Sequence, residues 1–268
     1  QEKLAGVQYL EMYIPYTLFL KIDFKSHNFE TTPKTRFIFE VSRTQSNDQF
    51  DEEVEECANI CSTHPLAKAI TIVGAEDDPR ALASFDHQLE TLKRLWGKFK
   101  IPYCIHAGEL TGEWVAPEDL SDHVFKVLQL PGVRRIGHAF DIVNEKKLDE
   151  IVKTFKAKDI AVEHCPISNR KIWQLPTDKL ILGFLIKNGI PTVVGSDDPA
   201  VLAYEGITQD FVDIVCKQEV PYVHVKMLIL NSITYSLLSD PEIEQELALL
   251  THKFSEFEKS LLNPALID

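Results

Sequence analysis

Ile190-Pro191-Thr192-Val193-Val194-Gly195-Ser196-Asp197-Asp198-Pro199 sets a short apolar, β-branched run directly before two adjacent carboxylates. Such a run reads as a strand covered on both faces. Charges are seldom set against a core without a partner, so the two aspartates call for a metal ion, a polar ligand or a helix start. A helix start accounts for one of them, with Asp198 as N-cap and Pro199 at the first helical position. Asp197, still at the strand end, remains to be compensated.

Six further apolar or β-branched runs precede this one, starting near Val7, Arg36, Ala69, Ile101, Arg134 and Ile160; successive separations, through Ile190, are 29, 33, 32, 33, 26 and 30 residues. That is βαβ spacing. Helical patterns lie between most of them, at Phe50–Cys61, Ala81–Phe99, Ser121–Leu130, Glu145–Phe155 and Thr177–Asn188. Alternation of strand and helix predicts a parallel sheet in an α/β fold. A TIM-type (β/α)8 barrel fits better than an open sheet, because Glu11, Gly74-Ala-Glu76, His106, His138, Cys165 and Asp197 all fall just after strand ends, where barrels place their sites. About seven strands are present, and Ile207–Cys216, His224–Leu238 and Pro241–Leu262 read as extra C-terminal helices. The missing strand is therefore expected before Val7, in a single barrel domain over 1–268 that is truncated at its N-terminus. Pro15–Thr35 has no amphipathic pattern and is expected to be an unusual crossover or to hold a chain break.

Composition narrows the function. The chain has 268 residues, 44% of them hydrophobic, and a net charge of −13, which repels a phosphate backbone; no basic stripe interleaved with aromatics occurs, so nucleic acid is not an expected partner. No apolar stretch approaches the roughly 20 residues of a membrane span. Five cysteines in no scaffold spacing and the lack of an Asn-x-Ser/Thr sequon lean towards a reducing, cytoplasmic compartment. Cys57 and Cys61, four apart on one helix, read as packing partners rather than a metal pair.

The strand-end motifs carry the chemistry. Ile105-His106-Ala-Gly-Glu109 offers an imidazole and a carboxylate three residues apart on a tight turn, and Arg134-Arg-Ile-Gly-His138 delivers a second imidazole to the same end of the next strand. In Glu163-His-Cys-Pro-Ile-Ser-Asn169, strand alternation sends Glu163 and Cys165 to one face and His164 to the other, so these three are not all ligands; Ser168 and Asn169 read as groups that orient their neighbours or else cap the segment from Arg170 onwards, the first being the better reading. For Asp197, zinc bound by carboxylate and imidazole is the economical compensation. His27, His64, His87, His123, His224 and His252 are read as solvated or core-rim residues.

Taken in order, His106-Ala-Gly-Glu109, Gly137-His138, Cys165-Pro-Ile-Ser-Asn169 and Ser196-Asp-Asp-Pro199 resemble the adenosine deaminase family. Cys165–Asn169, Ser196–Ala200 and Asn231-Ser-Ile-x-Tyr-Ser236 look most like its growth-factor-like subfamily, a resemblance that also admits secretion. It implies zinc-dependent hydrolytic deamination of a purine nucleoside, adenosine or deoxyadenosine. By the same resemblance His106 and Asp197 are zinc ligands, Glu109 protonates purine N1, His138 steers and deprotonates the attacking water, Asp198 hydrogen-bonds N7, and the Gly74 backbone meets N3.

One departure stands out. The family's first strand carries a His-x-His pair of zinc ligands, and none occurs in these 268 residues, so two further histidines are expected upstream of Gln1. This piece alone is then expected to bind zinc weakly and to be inactive. Ala139 stands where the family usually has glycine. Alternative readings are a non-catalytic paralogue or fragment that binds nucleoside or a partner protein, and a deaminase of adenine or a modified purine. A two-metal hydrolase bridged by a modified lysine is disfavoured, since the relevant strand end is Val73-Gly74.

Overall fold

A computed structural model describes residues 6–31, 33–116 and 118–262. Seven strands form one sheet in chain order, and every neighbouring pair is parallel. They are β1 (Tyr9–Ile14), β2 (Lys34–Ser42), β3 (Ala67–Val73), β4 (Tyr103–Ala107), β5 (Val133–His138), β6 (Ala161–His164) and β7 (Thr192–Val194). The helices are α1 (Tyr16–Phe19), α2 (Asn47–Thr63), α3 (Pro79–Phe99), α4 (His123–Gln129), α5 (Leu148–Lys158), α6 (Pro166–Ile172), α7 (Leu182–Asn188), α8 (Ile207–Cys216), α9 (Tyr222–Thr234) and α10 (Asp240–Leu262). The sheet is a curled, incomplete (β/α)8-type barrel. Among the described residues β1 and β7 do not pair, so the barrel is open between them.

Local chemistry explains the element ends. Ser46 and Gln49 form a capping box before α2, and Asp78 caps α3 with Pro79 in its first turn. Lys100 and Asp159 end α3 and α5 in the left-handed conformation. The main core lies between sheet and helices, where Phe37, Phe39, Ile70, Leu92, Ile105, Ile136 and Phe155 are fully buried.

Over its described part Pro15–Thr35 is an unusual crossover, as expected: α1 and turns carry Phe19, Phe24 and Phe29 onto Phe37, so aromatic burial replaces an amphipathic helix, whereas the expectations at Asp198 and at Thr177–Asn188 need correction. Residue 32 lies outside the described residues. Asp198 caps no helix: Leu202 N–H donates to Asp198 O and Tyr204 N–H to Pro199 O, closing turns instead. The helix expected over Thr177–Asn188 is a single 3₁₀ turn at Thr177–Lys179 followed by α7.

The C-terminal helices brace the open barrel. Lys34 and Arg36 at the base of β2 pair with Glu246 and Glu242 of α10, and Asn231 of α9 donates to Thr192 O on the edge strand β7. Just past α9, Leu237 packs with Tyr13, Ile38, Ala69 and Cys104 in the lower lumen. No described helix is long and apolar enough to cross a membrane.

Candidate metal and substrate site

The strand ends surround a cavity of about 1000 Å³ lined by Gly74, His106, Glu109, His138, Asp197 and Asp198 among others. All six residues singled out from sequence thus meet at one end of the barrel. His106, on β4, lies opposite Gly137 of β5 in the register. A Cβ on Gly137 would fall 2.3 Å from His106 Cδ2, so only glycine there leaves room for the imidazole. The dipeptide Gly137-His138 therefore makes space for one histidine and supplies the next.

His106 is half-buried, and its ring nitrogens make no hydrogen bond to the described residues. Its ring stands edge-on to His138, with centroids 4.7 Å apart. Burial, with His138 and Arg43 nearby, pushes its pKa well below the ordinary value, so the ring is neutral and its lone pair is available. At His138, Nδ1 lies 2.8 Å from Asn169 Oδ1, which can only accept; Nδ1 thus carries the proton and Nε2 faces the cavity. Nε2 is 3.7 Å from Glu109 Oε2 and 3.8 Å from Asp197 Oδ2. Burial opposes charge on His138, but the Glu109 and Asp197 carboxylates outweigh it and raise the pKa.

Glu109 has divided oxygens. Trp173 Nε1–H donates to Oε1 at 3.0 Å, while Oε2 points towards His138. Burial raises its pKa, the direction an acid needs to hold a proton. Ser168 donates to Asp197 Oδ2 at 2.5 Å, so the residues expected to orient their neighbours, Ser168 and Asn169, do so from the first turn of α6. Cys165 is buried, with its pKa raised well above the ordinary value by burial and by Asp197, which keeps it a thiol. His138 and Asp197 both hold positive φ, at 60° and 53°. Backbone strain at such positions persists only where surroundings fix it, and it clusters at functional sites.

Donor atoms within 4.8 Å of one another form two groups among the described residues, His106–Glu109–His138 and His138–Cys165–Asp197. The two expected ligands, His106 and Asp197, share no such group; they flank His138 from β4 and from the end of β7. A neutral imidazole without partners and a carboxylate held by one hydroxyl are donors that suit Zn²⁺, although two fall short of the three protein ligands usual in catalytic sites.

Sequence reading missed a buried network beneath the site. His123 is buried, not solvated: its ring stacks on Phe85 at 4.1 Å and its Nδ1 lies 2.6 Å from Glu76 Oε1. Arg43, equally buried, donates to His106 O at 2.7 Å. Trp173 was missed as well. The signal for His123 was available, since it stands one residue before Val124 in a helix whose buried face includes Val127 and Leu128.

Residues 22–250 match the family model described as adenosine deaminase. Adenosine deaminase 2-A of Danio rerio is 30% identical over 228 residues, covering 83% of this chain and 43% of that protein. An adenine deaminase of Arthrobacter aurescens has a similar structure, with a TM-score of 0.72 at 20% identity over 95% of this chain and 76% of its own. An amidohydrolase of Burkholderia ambifaria, solved with bound Zn, gives 0.75 at 16% identity over 96% and 71%. The chain spans less than half the length of the curated relatives it matches.

Proposed function

The chain belongs to the adenosine deaminase family, and from that premise we propose that its site hydrolyses the C6 amino group of a purine to a 6-oxopurine and ammonia. The observation that carries this reading is the convergence on His138 Nε2 of Glu109 and Asp197, at 3.7 and 3.8 Å, from the ends of β5, β4 and β7. His106, on β4, and Asp197, past the end of β7, would hold a Zn²⁺ ion. When bound, the ion lowers the pKa of water to about 7 and so makes hydroxide available at neutral pH.

The chain's own groups divide the proton transfers. Glu109 carries the acid proton on Oε2, because Trp173 occupies Oε1, and gives it to purine N1 as water adds to C6. Nδ1–H of His138 is committed to Asn169, so Nε2 receives the proton of the attacking water. His138 then passes its proton to the C6 amino nitrogen, ammonia leaves, and the C6 hydroxyl gives its proton back to Glu109 as the 6-oxo group forms. The Asp198 carboxyl donates to N7, and the backbone at Gly74 meets the N3 edge.

Charge favours a nucleoside or free base over a nucleotide. Glu40, Asp77, Asp197 and Asp198 line the cavity, and among the described lining residues the one Lys or Arg, Arg135, is paired with Glu11 and Glu163. A phosphate would meet no free cation among the described lining residues. Ammonia release from adenosine, deoxyadenosine, adenine and adenosine monophosphate tests this in the Zn-loaded full-length protein. The nucleosides are expected to give the highest kcat/KM. Equal or better turnover of the monophosphate contradicts the charge argument, and no turnover of any of the four contradicts the reaction.

A further inference from the structure

Below the cavity, Glu76 is 1% exposed and both of its oxygens are used. Oε1 accepts Gly108 N–H at 3.2 Å and Oε2 accepts Glu109 N–H at 2.8 Å. His123 Nδ1 lies 2.6 Å from Oε1, and the Arg43 guanidinium is 3.5 Å away. Arg43 also donates to His106 O at 2.7 Å and to Ile72 O at 3.3 Å, and its own carbonyl accepts Gln88 Nε2–H at 2.9 Å. The turn from His106 to Glu109 is thus fastened at one carbonyl by β2's neighbour Arg43 and at two amides by a carboxylate that follows β3. Gly108 takes φ +71°, and a Cβ there would meet Val124 Cγ2 at 2.6 Å, so only glycine fits and no side chain at 108 helps to hold the turn.

We propose that Glu76 is the positioning residue for Glu109: its carboxylate, held by Arg43 and His123, fixes the two amides that set where the Glu109 side chain leaves the backbone. The proposal rests on the assignment of Glu109 as the acid. Glu76 touches no substrate atom; it acts through the Gly108-Glu109 peptide. Burial opposes its charge, but Arg43 and His123 outweigh burial and hold the carboxyl below its ordinary pKa, so it accepts with both oxygens. Because proton transfer demands near-contact geometry, a displacement of about 1 Å costs on the order of 100-fold in rate.

The variant Glu76→Gln keeps shape but turns an N–H2 towards one of the two amides. In the Zn-loaded full-length protein, kcat is expected to fall by about 10- to 100-fold with KM and zinc stoichiometry unchanged. Hydrogen exchange at Gly108 and Glu109 should speed up while that of β3 stays slow. Glu76→Asp, which keeps the charge but shortens the reach, should fall between Gln and wild type. Unchanged kcat and exchange in Glu76→Gln overturn the proposal, as does a loss of kcat explained by lost zinc or a raised KM. If neither variant folds, wild-type exchange decides it, since fast exchange at the Glu109 amide contradicts a buried carboxylate clamp and slow exchange supports one. Glu109→Gln, made alongside, separates the two assignments: retained turnover there removes the acid role, whereas a dead Glu109→Gln with an unaffected Glu76→Gln removes only the clamp.

Discussion

Asp141 is 1% exposed, accepts Asn144 Nδ2–H at Oδ1, and has no partner at Oδ2 among the described residues. Burial, with Glu145 and Glu76 nearby, pushes its pKa up to about 7 from an ordinary 3.8. The folded state then binds a proton that the unfolded state has released, so this residue makes stability fall as pH rises from about 4 to about 7 and stay level above. Asp141→Asn removes the penalty. Its Tm should exceed wild type at pH 8 and the gain should shrink steadily towards pH 4, on a scale of about 2–4 °C per kcal/mol for a chain of this size. Thermal melts at pH 4, 6 and 8 check it, and a gain independent of pH contradicts the assignment. Such residues were invisible in the sequence because nothing in Phe140-Asp-Ile-Val-Asn144 says that the aspartate folds inward under the Gly108 turn, where its N–H meets Gly108 O at 2.9 Å. His106, Glu109, His138 and Asp197 were legible because each stands within four residues of the end of an apolar run. Glu76 was visible only as a strand-end carboxylate, and Trp173 not at all, since its role depends on a chain reversal through α6.

Between elements, the β4–β5 register decides whether the two site histidines coexist. His106 stands opposite Gly137 and Ala107 opposite His138, so one missing side chain houses one imidazole. Gly137→Ala forces the His106 ring out of its place; overpacking of this kind costs about 1–3 kcal/mol. Urea unfolding should show that loss, and zinc affinity should fall with it; unchanged values of both contradict the close approach. All seven strands were legible from apolar runs at βαβ spacing. The short helix α6 was not, because Pro166 reads as a strand stop and only six residues follow before Trp173, too few for a periodic pattern. The turn after Asp198 was misread for the opposite reason. Asp-Pro is a strong helix-start signal, but no amphipathic run follows Val201, which is 80% exposed.

Across the whole molecule, a buried charge cluster ties the open edge of the barrel to its middle. Arg135 of β5 pairs with Glu11 of β1 and Glu163 of β6 and donates to Tyr235 O beyond α9, while Tyr13 donates to Glu163 at 2.6 Å. Replacing Arg135 by Met leaves two carboxylates without their cation, a loss of about 3–5 kcal/mol for a broken buried pair. Adding Glu163→Gln should recover part of that stability, and full additivity of the two changes in urea melts would contradict the coupling. The gap between β1 and β7 was legible as a strand count of seven, but the bracing of that gap by α9 and α10 was not, since it depends on long-range pairs such as Lys34–Glu246. The direct test of the account is zinc content and ammonia release from adenosine, measured on the full-length protein and on Glu109→Gln side by side. Zinc bound equally in both, turnover in wild type and a loss of about 1000-fold or more in the variant are predicted for a lost general acid at the reacting ring. Turnover retained by Glu109→Gln contradicts the account.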